Sequence, residues 1–252
     1  MRYTVITGAS SGIGYESALA FAERGKNLIL IARREHKLED LKAEIRQHNA
    51  EIDVVVEPTD LSIMENVYAI YEKLKVYEID TWINNAGFGV KSPVADQDLD
   101  KVENMILLNT QALTILSTLY VRDYTNVEGS QLINVASSGG YSILPNAVTY
   151  TATKFFVSSF TEGLAEELAS KGASLQAKIL APGITETEFA KRALDTDKFD
   201  YKERMPNFHT AKEMAQFMLQ LYDSDKTLGL VDEKTYEFEL KDPVFTNLKY
   251  IR

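Results

Sequence analysis

Short apolar runs rich in β-branched residues alternate with amphipathic stretches from residue 3 to about residue 180. The runs predict strands at 3–6, 27–31, 53–56, 81–84, 131–135 and 175–180. Between them, Leu38, Leu41 and Ile45 recur on one helical face. A second helix opens with Ser62 and Glu65 at capping-box spacing and carries Val67, Ile70, Tyr71 and Leu74. Strands that are apolar almost throughout, each followed by a helix, are those of a parallel sheet buried on both faces. The expected fold is therefore α/β, a doubly wound parallel sheet in three layers (α/β/α). Without repeats or Gly/Ser linkers, residues 1–252 read as a single domain. The alternation breaks after Pro182-Gly183. Residues 184–209 are mixed and highly charged, then a helix is expected at 211–222 and a strand at 235–240. Ligands of doubly wound sheets sit at the carboxyl ends of the strands. An insertion after the sixth strand is placed to be a substrate lid, or is a plain surface loop.

Composition narrows the class. Hydrophobic residues are 45% of the chain, enough to fill an ordinary globular core. The formal charge of −10 disfavours nucleic acid and anionic membranes as partners. The absence of cysteine removes disulfides, thiolate zinc sites and a cysteine nucleophile, and no metal is expected. No run approaches the roughly 20 apolar residues of a membrane helix. Residues 1–6 lead directly into the first strand, which leaves no room for a signal peptide. The expectation is a cytoplasmic protein.

The first strand-to-helix junction reads Thr7-Gly8-Ala9-Ser10-Ser11-Gly12-Ile13-Gly14. Glycines there allow a tight turn and bring backbone amides and a helix N-terminus against a pyrophosphate, with Ser10 and Ser11 as further donors. At the end of the second strand, where an NAD site offers a carboxylate to the ribose, stands Ala32-Arg33-Arg34. A guanidinium suits a 2′-phosphate, so NADP(H) is favoured over NAD(H), with Arg33 the first choice and Arg34 the second.

Tyr150 and Lys154 lie four residues apart at the start of a helix expected over 150–169, on one face. An ammonium beside a phenol lowers its pKa and makes it a better proton carrier. Ser137-Ser138-Gly139-Gly140 follows the fifth strand, so its hydroxyls emerge at the carboxyl edge, where Ser137 suits a carbonyl oxygen and Ser138 is the alternative. Asn84-Asn85-Ala86-Gly87 closes the fourth strand at the same edge. Asn109, in an apolar helix, is either a satisfied structural amide or an anchor for water.

Together these motifs resemble the short-chain dehydrogenase/reductase family. The match runs in family order over residues 1–190, adding Asp60-Leu61, Asn134, and Pro182-Gly183 with Thr187. The resemblance implies a Rossmann-type sheet binding NAD(P), with the Ala32-Arg33 pair similar to the NADP-preferring branch. It implies Tyr150 as general acid/base, Ser137 on the substrate oxygen, Lys154 on the nicotinamide ribose, and Asn109 positioning a relay water. It also implies Asp60 and Leu61 beside the adenine, Asn85, Ala86 and Gly87 along the cofactor, and Pro182, Gly183, Ile184 and Thr187 over the nicotinamide. The C-terminal part departs: Val231-Asp232-Glu233-Lys234 replaces the family's Val-Asp-Gly-Gly. That puts a tetramer contact through the last strand in doubt and leaves a dimer through the helices of Asn109 and Tyr150, so the expectation is a homodimer or a homotetramer. The activity implied is interconversion of a carbonyl and an alcohol on a small molecule. The alternative is a nucleotide-sensing protein that lost its chemistry. Phe88, Val90, Tyr141, Leu144, Phe189 and the 190–208 segment are candidate pocket walls.

Overall fold

The structure, a computed structural model, describes residues 1–246. In chain order the elements are β1 (Arg2–Thr7), α1 (Gly12–Glu23), β2 (Asn27–Ala32), α2 (Glu35–His48), β3 (Val54–Pro58), α3 (Met64–Leu74) and β4 (Glu78–Asn84). Then come α4 (Leu99–Ile106), a π-helical turn (Leu107–Ala112), α5 (Leu113–Tyr124), β5 (Gln131–Val135), α6 (Val148–Ser170) and β6 (Gln176–Ala181). The last part holds β7 (Thr185–Glu186), α7 (Phe189–Ala193), α8 (Tyr201–Arg204), β8 (His209–Thr210), α9 (Ala211–Asp223), β9 (Leu228–Val231) and β10 (Phe238–Lys241).

The main sheet has the order β10-β9-β6-β5-β4-β1-β2-β3. Its pairings are parallel except β10 on β9. Strand order reverses between β1 and β4, the crevice where such sheets bind ligands. Both faces are covered, as the apolar strands require. On one side Phe21, Leu38, Leu41, Ile45, Met214 and Met218 pack from α1, α2 and α9. On the other, Val67, Ile70, Tyr71, Leu74, Leu116 and Tyr120 pack from α3 and α5 around Trp82. This is the expected doubly wound α/β/α sandwich.

Four local expectations are corrected. The capping box at Ser62 and Glu65 does not form. Asp60 Oδ1 takes both the Ser62 hydroxyl (2.7 Å) and its amide (3.0 Å), and α3 starts at Met64 after an uncapped Ile63. A capping box does open α9, where Thr210 and Glu213 bond reciprocally. Only the end of the 235–240 run is strand, and it pairs antiparallel with β9, which the sequence reading passed over. The reason is Gly229, a poor strand former that is needed here: a Cβ would lie 2.7 Å from the Phe238 ring. Lastly, Asn109 lies in a π-helical turn rather than in a regular helix. Among the described residues, no helix is long and apolar enough to cross a membrane.

Residues 184–209 are built structure, not a bare surface loop. The two-residue strands β7 and β8 pair at their ends, Thr185 against His209, and α7 and α8 lie between them.

Candidate active site

A cleft of about 840 Å³ opens at the carboxyl edge of the sheet. All the predicted catalytic and cofactor residues line it except Gly14, Arg34 and Asn109.

The glycine-rich turn forms one end. Gly8 and Gly12 have φ of +69° and +58°, a region L side chains rarely adopt. The turn is tied to the end of β4: Thr7 Oγ1 accepts from the amides of Asn85 (3.0 Å) and Ala86 (2.9 Å), and Asn85 Nδ2 donates to the Thr7 carbonyl (2.9 Å). Helix α1 begins at Gly12 with no side-chain cap from Ser11, so its first amides are left for another acceptor. An uncapped helix N-terminus, two serines and close backbone approach fit a dinucleotide pyrophosphate.

The two arginines separate. Arg33, largely exposed, lies on the cleft wall with Nη1 3.8 Å from Asp60. Arg34 folds back onto the turn, donating to Ser11 Oγ (2.9 Å) and Ser10 Oγ (3.1 Å), both residues of the cleft lining. Leu61 is buried, and Gly87 is held between Asn109 and Lys154, where a Cβ would lie 3.0 Å from Asn109 Oδ1.

At the other end, β5 delivers Ser137 and the first turns of α6 deliver Tyr150 and Lys154. Ser137 lies near enough to draw the Tyr150 phenol downward, and its Oγ accepts from the Gly139 amide (3.1 Å). Ser138 also lines the cleft, and its amide donates to the Pro182 carbonyl (2.7 Å). Lys154 is buried, with Nζ 5.9 Å from the Tyr150 ring centre, and donates to the Val135 carbonyl (2.9 Å). Burial pushes the Tyr150 phenol up to about 12, against the pull of Ser137, and pushes Lys154 down to about 8. The expected lowering of the phenol by Lys154 is not seen: burial is the dominant influence, and the opposing pull comes from Ser137. Asn109 is fully used: Nδ2 donates to the Phe88 carbonyl (2.9 Å) and Thr153 Oγ1 (3.1 Å), while Oδ1 accepts from the Phe88 amide (3.2 Å). It is a positioning residue that pins the Phe88 turn to α6.

The 184–209 segment covers the Tyr150 end. Phe189 sits 5.4 Å from the Tyr150 ring centre, and Gly89 leaves room for that contact. The Lys91 amide donates to the Ala193 carbonyl (2.9 Å), Lys101 pairs with Asp195 (3.0 Å), and the Tyr201 hydroxyl donates to the Thr187 carbonyl (3.2 Å). Phe88, Leu144 and Phe189 line the cleft as expected, whereas Val90 and Tyr141 do not. Tyr141 instead donates to the buried Glu162 (2.6 Å). Sequence reasoning missed Glu188, Lys91 and Leu108 on the wall. Glu188 directly follows Thr187, but one acid in a highly charged segment gives no signal.

A profile described as short chain dehydrogenase matches residues 2–198. Dehydrogenase/reductase SDR family member 11 of Gallus gallus is 31% identical over 202 residues, covering 78% of this chain and 79% of that one. An uncharacterized oxidoreductase of Staphylococcus saprophyticus is 33% identical over 209 residues, covering 82% and 83%. Among solved structures, a short-chain dehydrogenase from Sphingobium yanoikuyae in complex with NADPH has a TM-score of 0.84 at 29% identity, over 93% of this chain and 89% of that one. A bulky-bulky ketone specific alcohol dehydrogenase from Comamonas testosteroni has a TM-score of 0.78 at 25% identity, over 90% and 85%. Motif order, sheet topology and these likenesses agree, and the chain belongs to the short-chain dehydrogenase/reductase family as an NAD(P)-dependent oxidoreductase.

Proposed function

We propose that this protein interconverts a ketone or aldehyde and the corresponding alcohol, preferring NADP(H) to NAD(H), with Tyr150 as the general acid/base. The observation that carries the reading is that Ser137 and Tyr150, with Lys154 one turn below, line the same cleft as the glycine-rich turn. When bound, the nicotinamide supplies or accepts the hydride. Gly8, Ser10, Ser11, Gly12 and Ile13 would hold its pyrophosphate, with Gly14 shaping the turn. Asp60 and Leu61 would flank the adenine. Asn85, Ala86 and Gly87 would line its path, and Lys154 with Pro182, Gly183, Ile184 and Thr187 would enclose the nicotinamide half. Ser137 orients the carbonyl oxygen and steadies the charge that develops on it. Tyr150 delivers its proton to that oxygen in reduction and takes it back in oxidation. Residues 184–209 act as the lid, with Phe189 excluding water above Tyr150.

The NADPH complex of the Sphingobium enzyme and the ketone specificity of the Comamonas enzyme support this reading. So does Arg33, a cation on the cleft wall at the end of β2. The test is a panel of ketones and aldehydes followed by nicotinamide absorbance with NADPH and with NADH. At least one carbonyl should be reduced, faster with NADPH. Arg33→Ala should weaken NADPH about tenfold or more and leave NADH nearly unchanged. Equal losses would refute the 2′-phosphate assignment, and tight nucleotide binding with no turnover on any carbonyl would refute the reaction.

A homodimer through α5 and α6 completes the proposal. Phe156 is 42% exposed on α6 and stacks on Phe160, a pair that a second copy would cover. β9 is paired with β10, so β10 is the edge strand at that end of the sheet. Light scattering should give twice the chain mass, and Phe156→Glu should halve it. A wild-type monomer at micromolar concentration would overturn the assignment.

A further inference from the structure

Arg34 bridges the glycine-rich turn and the lid. Its Nη2 donates to Ser10 O (3.3 Å), Ser10 Oγ (3.1 Å) and Ser11 Oγ (2.9 Å). Its Nη1 is 3.1 Å from Glu188 Oε2, the residue that opens the lid helix α7. Arg192, one turn further along α7, reaches the same oxygen at 2.6 Å. Burial alone would push the Glu188 carboxyl up, but Arg34 and Arg192 hold it below the usual range, so it is ionised at neutral pH.

The charge balance around the turn is tight. Arg34, Arg192 and Glu188 sum to +1, and the nearby Arg33 faces Asp60. A phosphate monoester brings about −1.5 to −2 and three acceptor oxygens. Each donor that Glu188 holds is one the phosphate must win, and a bare 2′-hydroxyl carries no charge with which to win it.

We propose that Glu188 is a specificity-determining residue: by engaging Arg34 it competes with the 2′-phosphate of the nucleotide and so sets the margin by which 2′-phosphorylated cofactors are favoured. This rests on the NADP(H) preference proposed above. A 2′-phosphate that takes Arg34 also releases one tie between the turn and the lid.

The test is calorimetric titration of adenosine 2′,5′-bisphosphate and adenosine 5′-monophosphate, neither of which carries a nicotinamide. Glu188→Gln keeps the side-chain shape and removes the charge. It should raise the affinity ratio of the bisphosphate over the monophosphate by about threefold to tenfold. In an Arg34→Ala background the same substitution should leave that ratio unchanged. A ratio unmoved or lowered by Glu188→Gln overturns the proposal, as does an equal change in both affinities, which would make Glu188 only a lid fastener. If the wild type binds both nucleotides equally, the NADP(H) preference itself is refuted, and this proposal with it.

Discussion

Tyr150→Phe is expected to lower turnover by about two to four orders of magnitude, the range for loss of a positioned proton donor, with nucleotide affinity essentially unchanged. The substitution removes one oxygen and leaves the ring, which packs 5.4 Å from Phe189 and beside Gly89. The glycine-rich turn, held through Thr7 and Asn85, is not involved. A kcat loss without a nucleotide-affinity loss separates proton transfer from damage to the fold. Direction should matter as well. With the phenol pushed up to about 12, Tyr150 is protonated across the neutral range, the state that carbonyl reduction uses. Alcohol oxidation uses the phenolate, so its kcat/KM should climb with pH from 7 to 10 in the wild type, while that of reduction should not. The mutant should show no such climb. Full activity in Tyr150→Phe would remove the residue from the mechanism.

What could be read from the sequence divides along physical lines. Central parallel strands buried on both faces are apolar end to end, so β5 was expected over the residues it occupies and β2 to within one. Motifs that shape the backbone were equally legible, because a glycine turn or a strand-end asparagine is encoded by its spacing. Side-chain competition was not. Ser62 and Glu65 have capping-box spacing, yet Asp60 captures the serine, while Thr210 and Glu213 have the same spacing and do form the box. The difference is Asp60 two residues before Ser62, a competing acceptor, where Phe208 stands before Thr210. Arg34 and Glu188 meet only because the two-residue strands β7 and β8 fold the lid back toward the turn, a long-range event with no periodicity. The Tyr150 shift follows from burial, which a Y-x-x-x-K spacing does not reveal.

Gly14→Ala is expected to lower both thermal stability and nucleotide affinity, although alanine is the better helix former. Gly14 lies in the first turn of α1, and its φ is not in the left-handed region, so backbone conformation alone would permit any residue. On a free helix the change would gain about 1 kcal/mol. The neighbours decide otherwise. A Cβ at this position would lie 2.5 Å from the carbonyl oxygen of Gly8 and against Asn85 Nδ2. Neither can yield cheaply, because Gly8 is backbone and Asn85 Nδ2 is the donor that ties the turn to β4 through the Thr7 carbonyl. Overpacking of this kind costs about 1–3 kcal/mol, which offsets the gain in helix propensity and more. At roughly 2–4 °C per kcal/mol for a chain of this size, the melting temperature should fall by several degrees. Relief of the clash must lift the turn from β4 and misplace the amides that face the pyrophosphate, so affinity for either dinucleotide should drop by about tenfold or more. The loss should be equal for NADPH and NADH, unlike that of Arg33→Ala, since the pyrophosphate is common to both. A melting temperature raised by the propensity gain, with affinity intact, would show that the turn has slack and that Gly14 is there for some reason other than packing.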